Sequence, residues 1–209
     1  MLSHAWRWLR EVSGIAQSQR NIAAVRDPWR RYDLEPPLRA FGPGAADFRG
    51  YLAGSCRVAC DSPQAIGDWL LGCRYADDAQ LLGEADHWLH PATFELLRCG
   101  DCEDFSLWAW RQLIEARYAA TFVVGMRSGP GTARGRHAWV TYRDGSVDYL
   151  FDGVERSIAR MIRPCSGVQA LYEPQLGVAA DGARFVFAGL YREPWARQLR
   201  LRPGSAPRR

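Results

Sequence analysis

Apolar positions in the first thirty residues recur at helical spacing. Trp6, Leu9, Val12 and Ile15 fall on one stripe, with Arg, Glu and Gln between them. That pattern predicts a leading helix. The stretch "DPWRRYDLEPPLRAFGPG" then breaks it with Pro, Gly and Asp. "DSPQAIGDWLLGCRY" carries a helix start, with Ser62 as N-cap and Pro63 at the first helical position, and sets Ile66, Trp69, Leu70 and Cys73 on a buried face. A loop and a short helix in "DHWLHPATFELLR" lead into "LLRCGDCEDFSLWAW", which opens a helix apolar on nearly all sides. Beyond it the period turns to that of strands. "ATFVVGM" is a β run, "RSGPGTARGR" a loop, and "HAWVTYRDGSVDYLFDG" a hairpin around Asp144-Gly145. A second hairpin is predicted at Asp181-Gly182, between "QLGVA" and "ARFVFAGLY". Helices first and antiparallel strands second predict an α+β fold. The expected division is a helical extension over 1–45, one domain over 46–200 and an Arg-rich tail over 201–209.

Composition narrows the function classes. At 209 residues and 47% hydrophobic, the chain has material for one well-buried core. Its apolar runs are too short to span a bilayer, and its N-terminus lacks the continuous apolar core of a signal peptide. The expectation is a cytoplasmic protein with reduced thiols and no membrane association. All 27 basic residues are arginine, so no lysine is available as a base or Schiff-base former. The arginines are scattered, apart from the tail "RQLRLRPGSAPRR", and the net charge is only +4. That reads as a solvated surface rather than a nucleic-acid footprint, so no nucleic-acid partner is expected. Oligomeric state has no signature in the sequence.

The candidate chemistry centres on "CGDCED". Asp101 is a good N-cap and Asp104 sits three residues on, as in a capping box, which puts Cys102 at the first helical position. The positive end of a helix dipole favours thiolate, so this position predicts a lowered pKa and a nucleophilic sulfur. Glu103 and Asp104 read as first-turn acids that support the helix. A thiol nucleophile needs a base, and the chain has four histidines. His4 falls in the leading helix, His87 and His90 in a loop-like stretch, and His137 opens a strand. If Asp144 and Gly145 form a two-residue turn, His137 lies directly opposite Asp152, at a separation of about 4.5–5.5 Å between Cβ atoms. Asp148 lies opposite Thr141, further from the base.

"CGDCEDF", the upstream "DHWLHP", "RHAWVTY" and "DYLFD", in that order and spacing, resemble the bacterial transglutaminase-like cysteine proteinase family. The resemblance covers roughly residues 60 to 155. It implies a transglutaminase-like core distantly similar to papain, with Cys102 as nucleophile, His137 as base and Asp152 as orienting acid. It also implies a protein or peptide substrate and either hydrolysis or transamidation through a thioacyl intermediate. The backbone N–H of Cys102 would be one oxyanion donor, and the Trp88 indole N–H is a candidate for a second. Arg127, Arg134 and Arg136 around the loop before His137 are candidates for a basic substrate rim. Part of the family binds calcium, but its ligands are not matched in this sequence, and no cofactor or metal is expected.

Other readings remain open at this level. Cys56, Cys60, Cys99 and Cys102 have tolerable spacing for a structural zinc. A thioredoxin-like CxxC needs a preceding strand that the pattern does not predict. A non-catalytic interaction module is a third reading. Cys99 has no assigned role.

Overall fold

The computed structural model describes residues 27–129 and 132–192. The stripe over Trp6, Leu9, Val12 and Ile15 and the tail over 201–209 lie outside the described residues. In chain order the elements are β1 (Arg31–Tyr32), α1 (Phe48–Leu52), α2 (Pro63–Leu71), β2 (Arg74–Tyr75), α3 (Asp78–Leu81) and α4 (Pro91–Leu97). They continue with β3 (Cys99–Gly100), α5 (Cys102–Glu115), β4 (Ala119–Gly129), β5 (Thr132–Asp144) and β6 (Val147–Phe151). The last are α6 (Ile158–Met161), β7 (Ile162–Pro164), β8 (Tyr172–Val178) and β9 (Arg184–Phe187).

The strands form a seven-stranded sheet in the order β1-β9-β8-β4-β5-β6-β7, antiparallel throughout, with β2 and β3 forming a separate parallel pair. The molecule is thus a mixed helical and antiparallel-sheet protein, with helices gathered before the long strands. Residues 27–45, expected within a helical extension, instead supply β1 at the sheet edge and pack Leu34, Leu38 and Phe41 against the core.

Alternation along the strands splits the core in two. Phe122, Ala138, Val140 and Val178 face α5, whose Phe105, Leu107, Trp108, Trp110 and Leu113 are fully buried. The other face carries Val123, Trp139, Leu150, Phe185 and Tyr172. Because α5 is apolar on most sides, it has neighbours on most sides. The α2 helix covers it through Trp69 stacked on Trp108, with ring centroids 4.0 Å apart. The α2 start is the predicted one: Oγ of Ser62 accepts the Ala65 N–H and Pro63 follows at the first position.

The first hairpin differs from the expected register. Asp144 pairs with Val147, so Gly145 and Ser146 form the turn, with Gly145 at φ 57°, a left-handed value that favours glycine. Partner numbers therefore sum to 291 rather than 289. The shift of two preserves the parity of every side chain, so no residue changes face. The second hairpin stands as expected, with Asp181 Oδ1 accepting the Ala183 N–H and Gly182 at φ 81°.

Candidate active site

The start of α5 is held from three directions. Asp104 reaches back to the Asp101 N–H at 3.2 Å, and its other oxygen accepts the Leu89 N–H at 2.8 Å. One carboxylate thus caps the helix and ties the preceding loop to it. Gly100 makes this possible, because a Cβ there would lie 2.3 Å from Asp104 Oδ2. Upstream, the N–H groups of Arg74 and Ala76 donate to the carbonyls of Arg98 and Gly100, fixing β3 beside β2. Cys102 follows at the first helical position.

The sulfur meets two partners. Sγ donates to Glu103 Oε2 at 3.2 Å, and the backbone N–H of Ala138, the residue after His137, favours its thiolate. That N–H lies beyond the end of the β5–β6 ladder, which stops at Val140 opposite Phe151. The electrostatics correct the expectation of a lowered thiol pKa. Burial pushes the Cys102 thiol well above its usual value, with Glu103 and Asp101 adding to the effect and the Ala138 N–H opposing it. Glu103 is itself pushed up to about 10 by burial and by Asp101. Glu103 is therefore more than a helix-start acid, because it touches the thiol.

His137 and Asp152 come together although they are not directly opposed. With the observed register Asp152 is diagonal to His137, just past β6, on the same face. His137 Nε2 lies 2.9 Å from Asp152 Oδ2, with both residues buried. This bond leaves Nδ1 as the ring nitrogen open to another partner. Tyr172 donates its O–H to the same Oδ2 at 2.7 Å, and Arg127 Nη1 lies 3.1 Å from it. Burial alone would raise the Asp152 carboxyl, but His137, Arg127 and Tyr172 outweigh it and hold it below the usual carboxylate range.

Other candidates fall elsewhere. Trp88 donates its indole N–H to Asp86 Oδ1 at 2.8 Å and packs against Phe48 and Phe122, which makes it a core tryptophan rather than an oxyanion donor. His90 caps α4 through Nδ1, and His87 pairs with Glu84. Arg127, expected on the rim, lies against Asp152 and Glu155 instead. Arg134 and Arg136 stay exposed on β5, with Arg134 3.2 Å from Glu173. The four zinc-candidate cysteines do not converge among the described residues. The backbone of Cys60 bonds Gln112, ten residues along α5 from Cys102 and so roughly 15 Å away along the axis.

Sequence reasoning missed an acidic cluster beside the thiol. Oxygens of Asp78, Asp101 and Asp104 lie within 4.8 Å of one another, as do those of Asp78, Asp86 and Glu103. Asp78 is buried with Oδ1 unpartnered, and burial together with Asp101 pushes Asp104 up to about 7. An all-oxygen set with an unused buried oxygen suits a hard divalent cation better than zinc. The members are spread over 27 positions of sequence, on α3, the following loop and the start of α5, and no local spacing announces them.

No family model and no curated protein matches the chain. Among solved structures it is similar to Legionella pneumophila LapG, at 19% identity and a TM-score of 0.45, over 59% of this chain and 66% of that one. Calcium-bound Legionella pneumophila LapG is similar at 18% identity and a TM-score of 0.48, over 59% and 66%. An EGTA-treated form is similar at 18% and 0.46, over 59% and 64%. The matched part of this chain spans less than two thirds of the length of those chains.

Proposed function

We propose that the protein is a cysteine-dependent acyl-transfer enzyme with a transglutaminase-like core, acting on a peptide bond or a glutamine-type amide. The observation that carries this reading is the buried His137–Asp152 bond at 2.9 Å, made through Nε2. In this reading Nδ1 is the ring nitrogen that takes the thiol proton, and Asp152 fixes the ring and its tautomer. In the reaction Sγ gives up its proton to His137 and bonds the acyl carbon. The carbon–nitrogen bond then breaks as His137 returns the proton to the leaving amine. In this reading the Cys102 backbone N–H meets the developing oxyanion. Water then releases the acyl group as an acid, or an amine takes it as a new amide.

Because burial holds the thiol protonated at rest, ionisation depends on His137 accepting the proton. A hard divalent cation held by Asp78, Asp86 and Glu103 would offset the local negative charge and favour thiolate. Arg134 and Arg136, exposed just ahead of His137, remain proposed contacts for acidic substrate segments.

The test is iodoacetamide labelling across pH with mass-spectrometric location of the modified cysteine, in wild type, Cys102→Ala and His137→Ala. Fast labelling at Cys102 that depends on His137 is expected. Equally slow labelling of all six cysteines would remove the reading. Peptide hydrolysis and amine incorporation assays then separate the two acyl acceptors.

A further inference from the structure

Among the described residues, Oδ2 of Asp152 takes three donors while Oδ1 takes the Val154 N–H at 3.4 Å. Orienting an imidazole needs one of the three. The convergence on the oxygen that already holds His137 sets up a competition for its charge.

The register explains how Arg127 joins it. Gly125 pairs with His137 and Arg127 with Gly135, so strand alternation puts Arg127 on the face that carries His137. Its Nη1 meets Asp152, and its Nη2 is bonded by Glu155, a buried carboxylate that also holds Arg160 Nε at 2.9 Å. The Arg127 guanidinium carbon sits 5.6 Å from the centroid of the Tyr172 ring, and the Tyr172 oxygen in turn accepts from Arg163 at 2.8 Å. The Arg127 side chain is 29% exposed and that of Asp152 0%, so solvent screens this pair only in part.

We propose that Arg127 is a positioning residue of the Cys102–His137–Asp152 site. It shares the Asp152 charge with His137 and so sets the pH at which the imidazole titrates. The proposal rests on the acyl-transfer reading of that site. The charged and titratable groups around the imidazole are Asp152 after β6, Arg127 on β4 and Tyr172 on β8. Glu155, Arg160 and Arg163 stand behind them. Replacing Arg127 by an uncharged residue returns the full Asp152 charge to the imidazolium and relieves Glu155 of its partner. Both changes favour protonated His137. Replacing Glu155 by Gln removes a negative charge and releases Arg127 towards Asp152, which disfavours it.

The decisive measurement is the titration of the His137 ring C–H signals by NMR, in a chain with only four histidines. In Arg127→Met the midpoint is expected to rise by about 0.5–1 pH unit, and in Arg127→Lys to stay close to wild type. Tyr172→Phe should give a smaller rise and Glu155→Gln a fall. Near-ultraviolet circular dichroism reports whether each variant keeps its fold, and the opposite sign in Glu155→Gln tests the idea even if Arg127→Met does not fold. A midpoint unmoved in folded Arg127→Met, or unmoved in Glu155→Gln where Arg127→Met is unfolded, overturns the proposal. The two readings fail separately: slow labelling at Cys102 removes acyl transfer, whereas an immobile His137 midpoint beside a fast Cys102 removes only the role of Arg127.

Discussion

Cys102 begins a helix yet its thiol is held up rather than down. A helix N-terminus contributes partial charge, while burial beside Glu103 removes the water that would solvate a thiolate. Cys102→Ala should therefore cost at least ~10³-fold in turnover with the fold intact, measured as peptide or amide release beside an unchanged circular dichroism spectrum. Asp152 gives a pH prediction. Its folded pKa is depressed, so its stabilisation is present above the unfolded carboxylate value near about 4 and is lost as pH falls through the folded value. Asp152→Asn lacks that contribution, so its deficit in unfolding free energy should shrink in urea titrations taken below about pH 4. The His137–Asp152 contact was legible because it pairs a scarce residue type with one face of a hairpin, and the place of Cys102 was legible from the helix start. Trp88, Arg127 and Glu103 were not. Their partners Asp86, Asp152 and the Cys102 sulfur are settled by rotamers and packing, about which spacing is silent.

Among the elements, the β5–β6 hairpin shows how a wrong detail can leave a right contact. The turn falls one residue later than the Asp-Gly signal suggests, and the register moves by two. Even-numbered shifts conserve faces, so Asp152 still reaches His137 from a diagonal position. An odd shift would have sent it to the opposite core. The α5 start is less forgiving. Gly100→Ala should destabilise by about 1–3 kcal/mol, since the added methyl displaces Asp104 from both the Asp101 and Leu89 N–H groups. Differential scanning calorimetry would detect this as a lower Tm. Trp108→Ala, which empties the stack under Trp69, should cost about 3–5 kcal/mol by denaturant titration. The α2 cap and the second hairpin were readable because Ser62-Pro63 and Asp181-Gly182 carry their geometry locally. The edge strand β1 was not, because Arg31 and Tyr32 become a strand only by pairing with Phe187 and Val186.

For the whole molecule, the acidic cluster joins α3, the loop behind it and the start of α5, so its occupancy should be felt in global stability. Millimolar calcium is expected to raise Tm by about 3–8 °C in wild type and much less in Asp78→Asn. No change in wild type would leave the cluster a purely protonic one. The seven-stranded order could not be read from the sequence, since β8 inserting between β4 and β9 is a matter of long-range pairing rather than of local pattern.

That order has a consequence for how the protein comes into being. The α5, β4, β5 and β6 elements are consecutive in the chain, so they can pack, and His137 can reach Asp152, by closing short loops as synthesis proceeds. Tyr172 arrives later, on a strand that must thread to the far side of β4 before its hydroxyl can reach Asp152. A nascent chain would thus hold the His137–Asp152 pair before its electrostatic balance is complete, and the docking of β8 is the step that supplies the last donor to Asp152.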